Sequence, residues 1–379
     1  MVKVIFTQSC LRSKIDFPPH SHYTDLRFIG VNQIVFDEDR KKVMPELRQN
    51  LATKEWVIIA TERAKRPQAY VESGRYVVMP NQVNYDLTCP FCVGNEELDL
   101  EIARWPVTGD WQVRTIHNKY PALLGHEALL RRFDGVWRQI SGVGYHEIVV
   151  EHPHHNTTLA LMSAVEIEAV LEMFYNRGWS IRDDPRIKQI IYFKNHGENA
   201  GASLHHPHSQ IIGLPIVPNY IRQHSEEAQR FFDDTGECVF CVTLDAELDE
   251  GERLVAVSEH FVAFVLYAAP SPFYMWIMPR QHTVSFPYTH AEERADLAKI
   301  LRGVLRKLYF GLHNPAYNLI IRSAPAYELG NDYLHWHVTI IPRLSQPAGF
   351  ELGSGMYINP TLPEECAAFL REIKVDEGD

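Results

Sequence analysis

The chain has 379 residues, 45% hydrophobic and 22% charged, an ordinary balance for a globular protein with room for a large core. Its 48 acidic and 37 basic residues leave a net charge of −11, which argues against a general nucleic-acid binder, since such proteins carry a basic surface. No run approaches the ~18 apolar residues of a membrane span, and residues 1–20 show no small-residue cleavage site after an apolar core, so neither a membrane nor a secretory route is expected.

Residues 1–45 hold strand-like pieces at 2–7 and 31–36 and are read as an N-terminal extension without an assigned role. In residues 46–66 an apolar run at 56–60 suggests a buried strand. Arg63, Lys65 and Arg66 follow it, either as solvated charges or as a clamp for phosphate oxygens, a task suited to the bidentate arginine fork. Cys89 and Cys92 form a C-x-x-C turn. A strand over 111–116 leads to Asn118 and Lys119, where Asn118 suits either a ribose contact or a turn cap. Residues 146–151 are expected to form a strand ending near His154 and His155. Ser163 and Glu166 have capping-box spacing ahead of a helix with Gly178 as a plausible end. Another strand over 187–193 precedes the loop of Lys194, Asn195, His196 and Gly197.

Residues 199–215 follow. Gly201, Ala202 and Ser203 let a ligand approach the backbone. Strand alternation then places His206, His208 and Gln210 on one face.

Residues 218–234 are polar and mark the boundary between two halves, 46–225 and 226–379. The second half repeats the order of the first. Cys238 and Cys241 form another C-x-x-C, and a strand over 273–278 ends near His282. A capping box at Thr289 and Glu292 opens a helix, a strand covers 319–322, and His335 and His337 form a second H-x-H. His155 lies 51 residues before His206, and His282 lies 53 before His335. The chain is therefore an internal duplication of a domain-sized unit.

Each half supplies two cysteines and two histidines: Cys89, Cys92, His155 and His206 in the first, Cys238, Cys241, His282 and His335 in the second. This is the donor set of tetrahedral zinc, and four protein ligands leave no open position, so two structural zinc ions per chain are expected. Redox chemistry at C-x-x-C is the rival, and His154 and His205 compete with their neighbours as ligands. In a chain without a secretion signal, C-x-x-C pairs read as metal or redox chemistry before disulfides, so a reducing cytoplasm is expected. With His206 on a metal, His208 is left as an anchored, neutral imidazole beside a small-residue loop, the requirement for a nucleophile toward phosphorus. Gln210 on the same face can donate to a phosphoryl oxygen.

These motifs resemble the galactose-1-phosphate uridylyltransferases, the nucleotidyltransferase branch of the histidine-triad superfamily. The matching segments are RAKRP (63–67), CPFC (89–92), HNKYPAL (117–123), HNTTL (155–159), FKNHGENAGAS (193–203), HPHSQ (206–210), CVFC (238–241), HWHVTIIP (335–342) and GFELGSGMYINP (349–360). The resemblance implies an α+β fold: two histidine-triad-like halves, each an antiparallel sheet with packed helices, assembled as a homodimer. It implies nucleotidyl transfer between sugar 1-phosphates through a covalent nucleotidyl-His208, from UDP-glucose to galactose 1-phosphate. By motif match it assigns Arg63 and Arg66 to the nucleotide, Asn118 and Lys119 to the ribose side, and Asn195, Gly201, Ala202, Ser203 and Gln210 to the phosphates. The second Cys₂His₂ set and the GFELGSG segment depart from the better-known branch, which carries iron and a lysine there. Both features are shared with bacterial and archaeal uridylyltransferases and with plant-type ADP-glucose phosphorylases, so a phosphorylase is the alternative, and a zinc scaffold that binds nucleotide without catalysis is a third reading.

Overall fold

A computed structural model describes residues 44–60, 67–73, 78 and 83–375. The described part lies in one compact unit, Val43–Asp379. Arg63, Lys65, Arg66 and nearly all of the N-terminal extension fall outside the described residues.

The first half contributes β1 (Glu46–Gln49), β2 (Trp56–Ile59), α1 (Pro67–Ser73), β3 (Glu101–Trp105), β4 (Val113–His117), the exposed hairpin β5 (Arg131–Asp134) and β6 (Trp137–Ile140), β7 (Tyr145–Val150), α2 (Ala164–Arg182), β8 (Gln189–His196) and β9 (His208–Leu214). Then come α3 (Asn219–Thr235), α4 (Val239–Glu250), β10 (Leu254–Val257), β11 (Phe261–Val265), β12 (Met275–Pro279), α5 (Ala291–Gly311), β13 (Tyr317–Arg322), β14 (His337–Pro342), α6 (Gly349–Ser354), β15 (Tyr357–Asn359) and α7 (Pro363–Glu372). The class is α+β.

Ten strands form one antiparallel sheet in the order β10-β11-β12-β14-β13-β8-β9-β7-β4-β3. The order is a palindrome. β3, β4, β7, β9 and β8 correspond to β10, β11, β12, β14 and β13, and the two fives meet at the β8–β13 pair. In this correspondence His208 matches His337, because Val150 pairs with His208 as Met278 would pair with His337 in the register set by Ile277 and Val338.

Helices α2 and α5 pack on each other and on one face of the sheet. Period-3.6 apolar positions drive this: Ile167, Val170, Leu171 and Phe174 on α2, and Leu297, Leu301, Val304 and Leu308 on α5, are all buried in the main core. Ile211 of β9 points into that core, so alternation sends its neighbours Gln210 and Ile212 to the opposite face, with His208.

Local expectations differ from the structure in three places. The helix begun by Ser163, whose hydroxyl accepts from Glu166 N–H, runs through Gly178 to Arg182. Gly178 is there for packing, since a Cβ would lie 2.2 Å from the Tyr192 hydroxyl. The second cap sits one residue later than the spacing suggested: His290 N–H donates to Glu293 Oε2 at 2.7 Å, and Thr289 and Glu292 do not form the box. The polar boundary segment folds as helix α3, and Cys238 caps helix α4. Finally, β8 extends through Asn195 and His196, because β13 offers them Asn318 and Tyr317 as partners.

Candidate active site and metal centres

The four donors Cys89, Cys92, His155 and His206 converge, with all ligand atoms within 4.8 Å of one another, and so do Cys238, Cys241, His282 and His335. Cys92 Sγ lies 3.4 Å from His155 Nδ1 and 3.6 Å from His206 Nδ1. Cys241 Sγ lies 3.2 Å from His282 Nδ1 and 3.4 Å from His335 Nδ1. Tetrahedral bonds of the lengths zinc makes to sulfur and nitrogen would separate such atoms by roughly 3.6 Å, so both clusters fit a metal ion. His206 also carries the outer hydrogen bond usual for a ligating imidazole: its Nε2–H donates to the His152 carbonyl at 2.8 Å. His154 and His205 are outside both clusters.

The first cluster fixes the chain just before β9. From there His208 turns its Nδ1–H onto the His206 carbonyl at 2.8 Å, leaving the Nε2 lone pair free. Phe91, from between the two cysteines, packs on the His208 ring at 5.4 Å. Burial holds the His208 pKa below the usual histidine value, aided by the Lys194 ammonium, so the ring is neutral.

Beneath this strand lies a buried ion pair. The Lys194 ammonium donates to Glu151 Oε2 at 2.7 Å and to the His208 carbonyl at 3.2 Å, while the Ser209 hydroxyl donates to the other Glu151 oxygen. In the matching positions of the second half stand Ile321, Pro279 and Val338. The two halves therefore keep the same histidine anchor, but only the first has charges fixing its strand.

A cavity opens in front of His208, lined by Thr157, Asn195, Gly197, Ala202, Ser203 and His206 among others. Gly197 is required where the loop leaves β8: its φ is +82°, and a Cβ would lie 2.4 Å from Val78 Cγ2. The Gly201 carbonyl accepts from Asn195 Nδ2 at 3.4 Å. Asn195 Oδ1 accepts in turn from Asn318 Nδ2 at 2.8 Å.

Gln210, next along the same face, does not line the cavity wall; it is held by His146 of β7. His146 Nδ1 accepts from Ala122 N–H at 3.1 Å, so the proton is on Nε2, which donates to Gln210 Oε1 at 2.8 Å. That bond turns the Gln210 amide nitrogen outward as a donor. Asn118 Nδ2 lies 3.1 Å from the same His146 nitrogen, and Asn118 Oδ1 accepts from Tyr120 N–H at 2.9 Å as a turn cap. Lys119 is outside this constellation: its ammonium is exposed and paired with Glu97 at 2.8 Å.

His146, Lys194, Glu151 and Asn318 were not recognised as site-building residues from the sequence. His146 and Glu151 flank the apolar core of one strand, a visible signal. Asn318 lies in the other half and has none.

The chain matches two family profiles, described as galactose-1-phosphate uridyl transferase, N-terminal domain, over residues 35–218 and galactose-1-phosphate uridyl transferase, C-terminal domain, over 213–347. It is 35% identical over 337 residues to an ADP-glucose phosphorylase of Arabidopsis thaliana, covering 87% of this chain and 93% of that one. It is 32% identical over 343 residues to a galactose-1-phosphate uridylyltransferase of Thermotoga maritima, covering 88% and 100%. Among solved structures, the Arabidopsis thaliana ADP-glucose phosphorylase with bound ADP-glucose superposes with a TM-score of 0.73 at 32% identity, over 87% of this chain and 100% of that chain. A uridylyltransferase structure superposes with a TM-score of 0.66 at 26% identity, over 86% and 97%.

Proposed function

The chain belongs to the galactose-1-phosphate uridylyltransferase family, sugar-phosphate nucleotidyltransferases, and on that premise we propose that it moves a nucleotidyl group from a nucleotide sugar to a second phosphate through His208. The observation that carries this is the His208 Nδ1–H bond to the His206 carbonyl, which leaves Nε2 as a lone pair at the edge of a cavity.

In the first step Nε2 attacks the α-phosphorus. An N–P bond forms, the P–O bond to the sugar 1-phosphate breaks, and the sugar phosphate departs with the electron pair. No proton has to move, because Nδ1–H stays on its carbonyl. In the second step an oxygen of the acceptor phosphate attacks the same phosphorus, a P–O bond forms and the N–P bond breaks, restoring the neutral ring. The Gln210 amide nitrogen, freed by His146, donates to a phosphoryl oxygen as charge builds there. Asn195, Ser203 and the backbone at Gly201 and Ala202 hold the phosphates, and Arg63, Arg66, Asn118 and Lys119 remain assigned to the nucleotide by motif alone. Zinc in the two Cys₂His₂ clusters would tie loops to strands and supply folding stability.

We take galactose 1-phosphate as acceptor, after the relatives named galactose-1-phosphate uridylyltransferase, and UDP-glucose as donor, after the family resemblance. ADP-glucose with inorganic phosphate as acceptor is the second reading, favoured by the 35% identity to the Arabidopsis thaliana phosphorylase. A homodimer is the proposed assembly, after the family resemblance alone. Among the described residues no helix is long and apolar enough to cross a membrane, and a cytoplasmic setting is proposed because the two C-x-x-C pairs serve as metal donors, as is usual in reducing compartments. Incubating the protein with labelled UDP-glucose or ADP-glucose, each with galactose 1-phosphate or phosphate, tests the assignment. Transfer only from UDP-glucose to galactose 1-phosphate is expected; transfer only from ADP-glucose to phosphate selects the phosphorylase, and no transfer in any arm contradicts both.

A further inference from the structure

The palindromic sheet carries a second chamber at the position that mirrors the His208 site. His337 there repeats the anchor, with Nδ1 3.3 Å from the His335 carbonyl. Phe240, from the second C-x-x-C, stacks on His337 at 5.6 Å as Phe91 does on His208. Arg322 pairs with His337 across the β13–β14 ladder. Continuing the β8–β9 register gives Asn195 that place beside His208.

The chamber is walled by flat rings, Tyr220, Phe240, Tyr274 and Trp276, with Arg322, His224 and Glu55 along its polar side. Arg322 is half-buried and lies over the Tyr220 ring at 5.4 Å, and it makes no hydrogen bond or ion pair among the described residues. Glu55 is 3.8 Å from His224 and within electrostatic reach of Arg322.

Buried polar atoms on the wall also lack partners. Gln189 is 2% exposed and Thr339 0% exposed, yet Gln189 Oε1 and Thr339 Oγ1 have no hydrogen bond among the described residues. Unmet buried groups are costly, and natural proteins keep them where a ligand or water completes them.

We propose that this chamber is a second nucleotide-binding site, taking a nucleoside monophosphate with its base between the aromatic walls and its phosphate on Arg322. Flat rings suit a base, and a guanidinium fork with no hydrogen bond or ion pair among the described residues suits a phosphate. Glu55, beside it, faces the ribose hydroxyls as an acceptor. The site binds without transferring. Ile321, Pro279 and Val338 replace the charges that brace the first strand, and Thr339 stands where Gln210 would donate to a phosphoryl oxygen. The inference rests on the cavity and its orphaned groups and goes beyond the transfer chemistry at His208.

Equilibrium dialysis of the full-length, metal-loaded protein with labelled AMP and labelled UMP tests it, with inorganic phosphate and adenosine as competitors. The expected result is about two nucleotides per chain in wild type, and about one after Arg322→Gln, which keeps its nucleotidyl transfer. Losing the phosphate contact should weaken this site by about tenfold or more, and Arg322→Lys should fall between. Adenosine and phosphate should each compete less well than AMP or UMP. Binding that survives His208→Gly and is lost in Arg322→Gln supports the second site even if no transfer is found. A single nucleotide per chain that Arg322→Gln leaves unchanged, or no binding of either nucleotide, overturns the proposal.

Discussion

Asn318 donates through Nδ2 to Asn195 Oδ1 at 2.8 Å, across the one strand pair that joins the two halves of the sheet. The same Nδ2 reaches the Ala200 carbonyl at 2.9 Å, and Asn318 Oδ1 accepts from Arg343 Nε at 2.5 Å. A second-half residue thus positions both the phosphate-side asparagine and the loop in front of His208.

Asn318→Ala should therefore reduce nucleotidyl transfer by about ten- to hundredfold, since misplacing a positioning group by an ångström has effects of that size. Substrate KM should rise and metal content should stay at its wild-type value. Steady-state kinetics with parallel elemental analysis check this; wild-type kinetics would remove Asn318 from the site.

The buried pair Lys194–Glu151, with side chains 3% and 0% exposed, makes a second prediction. Lys194→Met leaves Glu151 as an uncompensated buried charge and should cost about 3–5 kcal/mol of stability. Adding Glu151→Leu should recover most of that loss, because the pair as a whole has little net worth against a packed apolar replacement. Denaturant unfolding of the two variants measures both effects, and equal instability in single and double variants would contradict the charge argument.

Much of the fold was legible because duplication left the same signals twice: the two C-x-x-C pairs, the two H-x-H strands and the matching spacings. What was hidden is what crosses between halves. Asn195 and His196 looked like a loop because their strand partners, Asn318 and Tyr317, lie more than a hundred residues away. Helix α3 was missed because its polar composition matches a linker. Its apolar residues Tyr220, Ile221, Ala228, Phe231 and Phe232 recur at helical spacing, but the polar residues between them outweigh that stripe and few of its residues are buried, Ser225 and Ala228. At the site, His208 could be singled out by elimination once its neighbour was given to a metal. His146 could not, since its role depends on which way Gln210 is turned.

His196, which lines the cavity, gives a pH prediction. Its Nε2–H donates to Asn314 Oδ1 at 2.8 Å, and burial, with the nearby Lys194 ammonium, pushes its pKa down to about 4. The unfolded value is about 6.5. Between the two values the unfolded chain binds the proton and the native chain does not. This contribution to stability is full above about pH 6.5 and is lost as the pH falls towards 4. Between pH 7 and pH 5 the wild type should lose on the order of 1 kcal/mol more than His196→Gln. Parallel pH-stability curves for the two proteins would contradict this.

Elemental analysis of protein purified without added metal should return about two zinc ions per chain, one for each Cys₂His₂ cluster. Cys89→Ser should lower the melting temperature by more than it alters chemistry at His208, because a closed site stabilises the fold. One ion or none per chain would contradict the paired sites, and lost activity at unchanged stability would give the metal a direct part in the reaction.

Chemical rescue tests whether His208 carries the nucleotidyl group. His208→Gly should abolish transfer between sugar phosphates but leave a space the size of an imidazole beside the loop at Gly201. A preformed nucleotidyl imidazolide should enter that space and pass its nucleotidyl group to the acceptor phosphate, restoring product formation. His206→Gly should show no such rescue, since it loses a metal ligand. Ordinary activity in His208→Gly, or a labelled intermediate that maps to His206 or His337, would contradict the account.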